Sequence, residues 1–333
     1  MRKRTRYSLL LALTVLGAFI VAFLLRKMAP PEAARLLPES EAIVYCNLRP
    51  LRAITRLDRT AVNRTPEFQH FVEASGILPE RDLDAAAFAL HRMADPSGPN
   101  GPVAYSEVFE GHFDSARLAN YLASIASGTE SYAGHTIFTI PVGDPAGRSN
   151  RQRLLRVAQL GYDSVAASNM PTPEQIHSIL DRYRAGASPF AGSSLLSARF
   201  HEVPLLASAW AIGDIGLPFG ESGKITLLGL RLPIPADTIF VASLRYVGQI
   251  HLRIEEISSS SAEAAQAAES LQALLGIFRS IQRGQQGTPS DPPVSVAVDS
   301  IKIAQHGDRA EITATLPPEL LRQLSSPDAD ALR

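Results

Sequence analysis

Residues 8–25 form an unbroken apolar run near the N-terminus, and this run constrains the chain more than any other feature. It contains no charged residue, and Ser8 and Thr14 are its only polar side chains. Eighteen helical residues extend about 27 Å, which is close to the roughly 30 Å hydrocarbon core of a bilayer. Tyr7 and basic residues flank the run, as is typical of membrane interfaces. The sequence therefore predicts one transmembrane helix at 8–25.

A cleaved signal peptide is the alternative to an anchor, because both begin with a basic stretch. The run is longer than the usual apolar region of a signal peptide, roughly 7–15 residues. No Ala-x-Ala cleavage pattern occurs in the first 42 residues, and Arg26 and Lys27 follow the run directly. These features favour an anchor that is not removed.

The basic residues around the run predict its orientation. Four basic side chains and the α-amine precede it, whereas Arg26, Lys27 and Arg35 follow it. Basic residues concentrate on the cytoplasmic side of membrane proteins. We therefore predict a single-pass protein of the cytoplasmic (inner) membrane, with a cytoplasmic N-terminus and an extracytoplasmic body.

The net charge of −1 conceals two parts of opposite sign. The first 27 residues carry six basic groups and no acidic one, so the remainder carries 26 basic against 33 acidic residues. An acidic body disfavours nucleic acid as a partner, because phosphate binding needs concentrated Lys and Arg. Cys46 is the single cysteine, which excludes an intramolecular disulfide and a cysteine-based metal cluster.

The body predicts an α+β fold with mainly antiparallel sheets, helices packed on one sheet face, and two similar lobes. In both halves a strand leads into an amphipathic helix, and further strands follow. The predicted organisation comprises a basic cytoplasmic tail (1–7), the transmembrane helix (8–25), a stalk (26–41), a first lobe (42–190), a second lobe (191–325) and a flexible tail (326–333).

Several local predictions depend on spacing and capping. Thr65-Pro66-Glu67 predicts a helix start, and Asp114 is expected to cap a helix that ends near Gly128. The alternation of 249–255 predicts a strand with Glu255 directed away from the core. The alternation of residues 294–303 changes phase between Val298 and Ile301, which predicts a strand with a bulge or a break. Further strands are predicted at 42–48, 85–91, 103–113, 135–141, 154–159, 164–168, 205–212 and 238–244.

The chain lacks the common catalytic signatures. It has no GxSxG elbow and no phosphate loop, and Ser222-Gly223-Lys224 does not have Ser-x-x-Lys spacing. His112 and His135 could bind a metal with Glu110 or Asp114, although two histidines on a strand face are the simpler interpretation. The carboxylate pairs Asp82/Asp84 and Glu255/Glu256 are better explained by turn hydrogen bonds and by opposite strand faces. We therefore assign no catalytic, cofactor-binding or metal-binding residue and expect no cofactor.

Two further segments could contact a partner. Arg148, Arg151, Arg153 and Arg156 form a local basic cluster, which we interpret as a solvated loop and strand face, or alternatively as a site for an anionic headgroup or a partner's acidic patch. The apolar stretch 217–235 could line or gate a ligand pocket, although a buried strand is the default explanation.

The order of five segments resembles a group of uncharacterised bacterial envelope proteins that have one N-terminal membrane segment. The segments are LLPESEAIVYCNLRPL (36–51), DLDAAAFALHR (82–92), EVFEGHFDSARLANYL (107–122), YAGHTIF (132–138) and PEQIHSILDRYR (173–184). The resemblance covers most of 36–200 and implies a topology. It implies no activity and no site residue.

Three functional classes remain. The first is a membrane-tethered, non-enzymatic module that binds an envelope protein or lipid through its sheet surface or a cleft. The second is a carrier or sensor of an apolar, lipid-like ligand, which would need a cavity above roughly 300 Å³ lined by Leu, Ile and Phe. The third is a hydrolase with a fold-assembled site, which would need convergent carboxylates or histidines of perturbed pKa in a cleft.

Overall fold

A computed structural model describes residues 29–56, 64–143, 153–186, 192–214, 226–227, 230–231, 238–284 and 292–319. None of the helices in these ranges combines the length and the apolar composition of a membrane span. The segment predicted to cross the membrane, 8–25, lies outside the described residues, as do Arg148, Arg151 and the Ser222-Gly223-Lys224 sequence.

Within the described residues, twelve strands form one sheet, and a separate hairpin adds two short strands. The strands are β1 Ala42–Asn47, β2 Leu83–Arg92, β3 Val103–Gly111, β4 Gly128–Tyr132, β5 His135–Val142, β6 Arg153–Gln159, β7 Ser164–Ser168, β8 Ala209–Asp214, β9 Thr226–Leu227, β10 Leu230–Arg231, β11 Ile239–Val247, β12 Gln249–Ile257, β13 Lys302–His306 and β14 Arg309–Leu316. The strand order is β13-β14-β12-β11-β8-β1-β2-β3-β7-β6-β5-β4, and each pairing is antiparallel. The predicted α+β class with antiparallel strands is confirmed.

Helices connect these strands and cover the sheet. They are α1 Glu32–Leu36, α2 Leu48–Thr55, α3 Pro66–Ser75, α4 Pro79–Asp82, α5 Ser115–Ile125, α6 Glu174–Arg184, α7 Ser194–Arg199, a 3₁₀ turn Phe200–Glu202, α8 Ser261–Gly284 and α9 Pro292–Ser300. Two of the predicted caps are present, because the side chains of Thr65 and Asp114 accept hydrogen bonds from the backbone N–H groups of Phe68 and Arg117.

The main hydrophobic core lies on one face of the sheet, here called the first face. Ile43, Tyr45 and Ile212 extend from this face and pack against α1, α6 and α7. The opposite, second face packs against α3 and α5 near β5 and β6, and against α8 near β13 and β14. Helices therefore cover both faces, and the prediction that they pack on one face only is wrong.

The stalk predicted at 26–41 is replaced, over 32–37, by a short buried helix. Ala33, Ala34 and Leu37 are fully buried, and Leu36 is 2% exposed. Helix α1 packs on β2, β3 and α6 and belongs to the main core. The two prolines before it resemble a linker in sequence, but apolar burial determines its position.

Three other local predictions are corrected. Residues 292–300 form helix α9 and not the first part of a bulged strand, and the strand begins at Lys302. The strand expected at 205–212 is displaced to 209–214, with Leu205 and Leu206 in an exposed turn. Helix α5 ends at Ile125, and Gly128 begins β4.

The two predicted lobes are joined in one sheet. Strand β1 of the first half pairs with β8 of the second half through five residue pairs, from Ala42↔Gly213 to Cys46↔Ala209. In each half, three strands pair side by side in chain order, β1-β2-β3 and β8-β11-β12, and the last strand of the half, β7 or β14, pairs with the third. The boundary between the halves is a continuous backbone ladder.

Candidate functional site

A cleft of about 990 Å³ opens at one end of the first half of the sheet. It lies where β1 and β3 end and where β2 and β7 begin, because antiparallel neighbours bring opposite termini together. Its lining comprises Glu32, Tyr45, Asn47, Arg49, Gly76, Arg81, Asp82, Asp84, Ala85, Glu110, Gly111, His112, Phe113, Asp114, Tyr162, Asp163, Ser164 and Tyr183. Six of these side chains are carboxylates and two are guanidiniums, so the cleft is acidic.

Asp84 is placed in the cleft by a bulge in β2. The pairing of β2 with β3 shifts between Leu83 and Ala85, and Asp84 is the residue left between them. Its carboxylate lies 2.7 Å from an Arg49 nitrogen and 3.4 Å from an Arg52 nitrogen. The hydrogen bond from Arg49 is the main reason that the pKa of Asp84 is lowered. Asp84 therefore remains ionised in the cleft.

His112 contacts the same carboxylate. Its Nδ1 lies 3.5 Å from Oδ2 of Asp84, and its side chain is 80% exposed. The backbone N–H of His112 donates to the carbonyl of Asp82, which connects the end of β3 to the start of β2. His112 is therefore held by its backbone, while its ring remains accessible to solvent.

Glu110 differs from Asp84 in its protonation behaviour. Burial raises the pKa of Glu110, although its Oε1 accepts a hydrogen bond of 2.8 Å from the backbone N–H of Ala33. Tyr45 lies on the same sheet face, and burial, together with the charge of Glu110, raises its pKa to about 12. The cleft thus combines an ionised aspartate with a glutamate that is protonated more readily than usual.

Gly111 permits the close approach of two chain segments at the floor of the cleft. A Cβ atom at this position would lie 2.2 Å from the carbonyl oxygen of Asp82. The backbone N–H of Gly111 also donates to the carbonyl of Asp163, at 2.8 Å. Any side chain here would therefore separate β3 from the segments that carry Asp82 and Asp163.

The structure brings together residues that the sequence placed in two separate hypotheses. Asp82, Asp84, Glu110, His112 and Asp114 all line the cleft. Asp82 makes the expected turn hydrogen bond, since it accepts from the backbone N–H of Leu78 at 2.8 Å. Burial would raise the pKa of Asp82, but hydrogen bonds from Arg81 and Leu78 lower it overall. Asp114 caps α5.

The suggested metal site of His112 and His135 has no counterpart in the described ranges. His135 is on β5, where its Nδ1 lies 2.8 Å from the carbonyl oxygen of Gln159 and its ring packs edge-on against Tyr183. No group of three or more His, Cys, Asp and Glu side chains there is arranged to hold a metal ion. His135 is therefore explained by packing and a backbone hydrogen bond.

Glu255 and Glu256 lie on opposite faces of β12, as predicted, but both are buried. Glu255 is 3% exposed and lies 2.7 Å from Arg253 and 3.7 Å from Arg309, so the prediction that it faces away from the core is wrong. Arg309 also binds Glu202 through two nitrogens, at 2.6 and 2.9 Å. Burial raises the pKa of Glu256. Glu255 is thus held by ion pairs, whereas both carboxylate oxygens of Glu256 are buried without a hydrogen-bond partner in the described part of the chain, so the two residues do not share a site.

Tyr45, Arg49 and Tyr183 also line the cleft, although no sequence pattern marked them as site residues. Arg49 is the second residue of α2, the helix that Asn47 caps at the end of β1, and a single arginine at a helix start is only a weak sequence signal. Of the basic cluster, Arg156 donates to the carbonyls of Met170 and Pro171 at 2.7 and 3.1 Å, and so stabilises a loop. Most of the stretch 217–235 lies outside the described residues.

Comparisons with known proteins assign no family to the chain. No protein-family model matches it, and no curated protein matches it. Among solved structures, the chain is similar to three crystal forms of TP0453. Form III has 10% identity, a TM-score of 0.46 and coverage of 89% of this chain and 98% of that one. Form I has 11% identity and a TM-score of 0.43, with coverage of 89% of this chain and 97% of that one. Form IV has 12% identity and a TM-score of 0.46, with coverage of 89% of this chain and 98% of that one.

Proposed function

We propose that the protein is a membrane-tethered, extracytoplasmic binding module without enzymatic activity, and that the acidic cleft binds its partner. The observation that carries this proposal is a cleft of about 990 Å³ formed by the ends of four paired strands. Sheet ends joined by backbone hydrogen bonds hold a binding surface with little reorganisation on binding. The partner is expected to be an envelope component that presents positive charge, since carboxylates outnumber guanidiniums in the lining.

The membrane part of this proposal rests on the sequence. The apolar run at 8–25 and its basic flanks support an anchor in the cytoplasmic membrane, with the body outside the cytoplasm. Only six residues, 26–31, separate this run from α1, and two of them are prolines, Pro30 and Pro31. Such a short connection supports a body held close to the bilayer. The resemblance to envelope proteins with one membrane segment agrees with this location and remains a prediction.

The carrier alternative has less support from the described cavity. Its lining is dominated by charged and tyrosyl side chains, whereas a carrier of an apolar ligand needs mainly aliphatic and aromatic walls.

The binding proposal can be tested by photocrosslinking of the full-length protein in native membranes. A photoreactive amino acid replaces Tyr162, which is 80% exposed and lines the cleft. The control position is Leu154 on β6, which is 37% exposed and does not line it. We expect a discrete adduct at 162 that is absent at 154 and is weakened by Glu32→Gln with Asp163→Asn, which remove two exposed cleft charges. Adducts of equal yield at both positions, or recovery of lipid without any partner, would contradict the proposal.

The hydrolase alternative has one specific observation in its favour. Asp84 has a lowered pKa and Glu110 a raised pKa in the same cleft. Such a difference would let Asp84 act as the ionised carboxylate and Glu110 as the general acid of a hydrolase. A panel of chromogenic ester and glycoside substrates tests this directly. If turnover exists and Glu110→Gln abolishes it while the fold is retained, the cleft is catalytic and the non-enzymatic proposal is wrong.

A further inference from the structure

Two connections at one end of the sheet expose large apolar side chains to solvent. Leu205 and Leu206 precede β8 and are 59% and 71% exposed. Tyr246 and Val247 end β11 and are 39% and 63% exposed. Single exposed apolar residues are ordinary, but several on adjoining connections are a candidate interaction surface.

These four residues, here called the apolar tip, belong to neighbouring chain segments. The backbone N–H of Ser208 donates to the carbonyl of Leu244 at 2.7 Å. Leu206 lies two residues before Ser208, and Tyr246 lies two residues after Leu244, so this hydrogen bond holds the two segments next to each other. Leu206 also has a positive φ of 67°, which a leucine rarely adopts. A strained and exposed leucine contributes little to the folded core, and strain of this kind is concentrated at functional positions.

The apolar tip lies at the same end of the sheet as the entry of the N-terminal segment. Strand β8 is antiparallel to β1, so β8 begins beside the end of β1, where the cleft opens. Glu32, the first residue of α1, lines that cleft. Residues 26–31 alone separate the apolar run at 8–25 from Glu32, and six fully extended residues span roughly 20 Å.

The chemistry of the apolar tip fits the interface of a lipid bilayer. Tyr246 has an amphipathic ring, and tyrosine is enriched at the level of the lipid headgroups. Arg245 precedes it, is exposed, and can reach a phosphate while its stem covers apolar surface. The cleft carboxylates belong to the strands on the other side of β1, or to segments that adjoin those strands, and can remain hydrated.

We propose that the apolar tip inserts into the bilayer interface beside the N-terminal anchor and so orients the body on the membrane. This inference rests on the proposed tether at 8–25. The insertion of Leu205, Leu206 and Val247 would bury apolar surface that the fold leaves in water, and the anchor would keep the tip within reach of the bilayer.

The test uses the full-length chain in vesicles of phosphatidylethanolamine and phosphatidylglycerol. Cys46, the single cysteine, is replaced by alanine, and Leu206→Cys carries an environment-sensitive fluorophore. Val247→Cys provides a second labelled position, and Leu154→Cys on β6 provides the matched exposed control. Nitroxide-labelled lipids are expected to quench the fluorophore at 206 and at 247, and to leave the fluorophore at 154 unquenched.

Flotation of the same vesicles separates the two proposals. If the protein floats but positions 206 and 247 are quenched no more than 154, the insertion is wrong and the tether stands. If the protein does not float, the tether is wrong and the insertion is wrong with it. If the emission at 206 changes with protein concentration and without quenching, the apolar tip binds a second copy of the chain and the membrane proposal is overturned.

Discussion

Glu107 is an ionisable side chain in the middle of β3 with largely apolar surroundings. It lies opposite Phe88 on β2 and Ala167 on β7. Burial raises its pKa from an ordinary value near 4.5 to about 7. Between a pH near 4.5 and a pH of about 7, Glu107 is therefore mainly protonated in the folded protein and mainly ionised in the unfolded chain.

This difference predicts a dependence of stability on pH. Because the folded pKa is above the unfolded one, the contribution to stability is complete below the unfolded value and is lost as the pH rises through about 7. The loss amounts to about 3 kcal/mol or less, at 1.36 kcal/mol for each unit of pKa. Glu107→Gln should remove this dependence and stabilise the fold most above pH 7. Urea unfolding of both proteins on either side of this pH tests it, and an unchanged pH slope in the variant would contradict it.

The sequence singled out Asp84, Glu110 and His112 as candidate site residues, but it could not predict that they line one cleft. Asp84 reaches the cleft because β2 has a bulge at that position, and a shift of register by one residue would turn it to the other face. Glu110 and Asp84 approach through the pairing of β2 and β3, whereas Glu32 and Tyr183 come from helices distant in sequence. Such contacts depend on the complete topology.

At the scale of elements, capping residues and long periodic segments correctly predicted where helices begin. Helices α3 and α5 begin where Thr65 and Asp114 indicated, because a cap is a local interaction. Helices α1 and α9 were missed for a tertiary reason. Helix α1 has five residues, and α9 contains the alternating sequence VSVAV, so the packing on the sheet determines both against the local pattern.

The burial of α1 predicts that a residue expected in a stalk stabilises the core. Leu36→Ala should lower the free energy of unfolding by about 2–5 kcal/mol, because the side chain is 2% exposed in the main core. Phe68→Ala is the control, since Phe68 is 39% exposed, and should change stability by no more than about 1 kcal/mol. Chemical denaturation measures both. Equal effects of the two substitutions would favour a stalk over a packed helix.

At the scale of the whole molecule, the ladder between β1 and β8 joins the halves. Trp210, the single tryptophan, lies on β8 at this junction and stacks on Tyr45 of β1 with ring centroids 5.5 Å apart. Ile43 and Ile212 pair beside it, and both are buried. The core therefore crosses the boundary between the halves without interruption.

This continuity predicts one cooperative unfolding transition. The midpoint reported by Trp210 fluorescence should coincide with the midpoint reported by far-ultraviolet circular dichroism, because neither half can lose its structure without exposing the shared ladder. Ile212→Ala should lower both midpoints by the same amount, since the residue lies at the junction. Two separated midpoints, or a shift confined to one probe, would indicate halves that unfold independently.

The central position of β1 has a mechanical consequence. Five strands lie on one side of β1 and six on the other, and β1 is hydrogen-bonded along both edges. In a chain held at its N-terminus, a pull on the tether first loads the docked helix α1 and then β1. A central strand drawn along its own axis breaks only when both ladders shear together, whereas an edge strand can be peeled away bond by bond. A chain held at its N-terminus would thus be attached where the sheet best resists force.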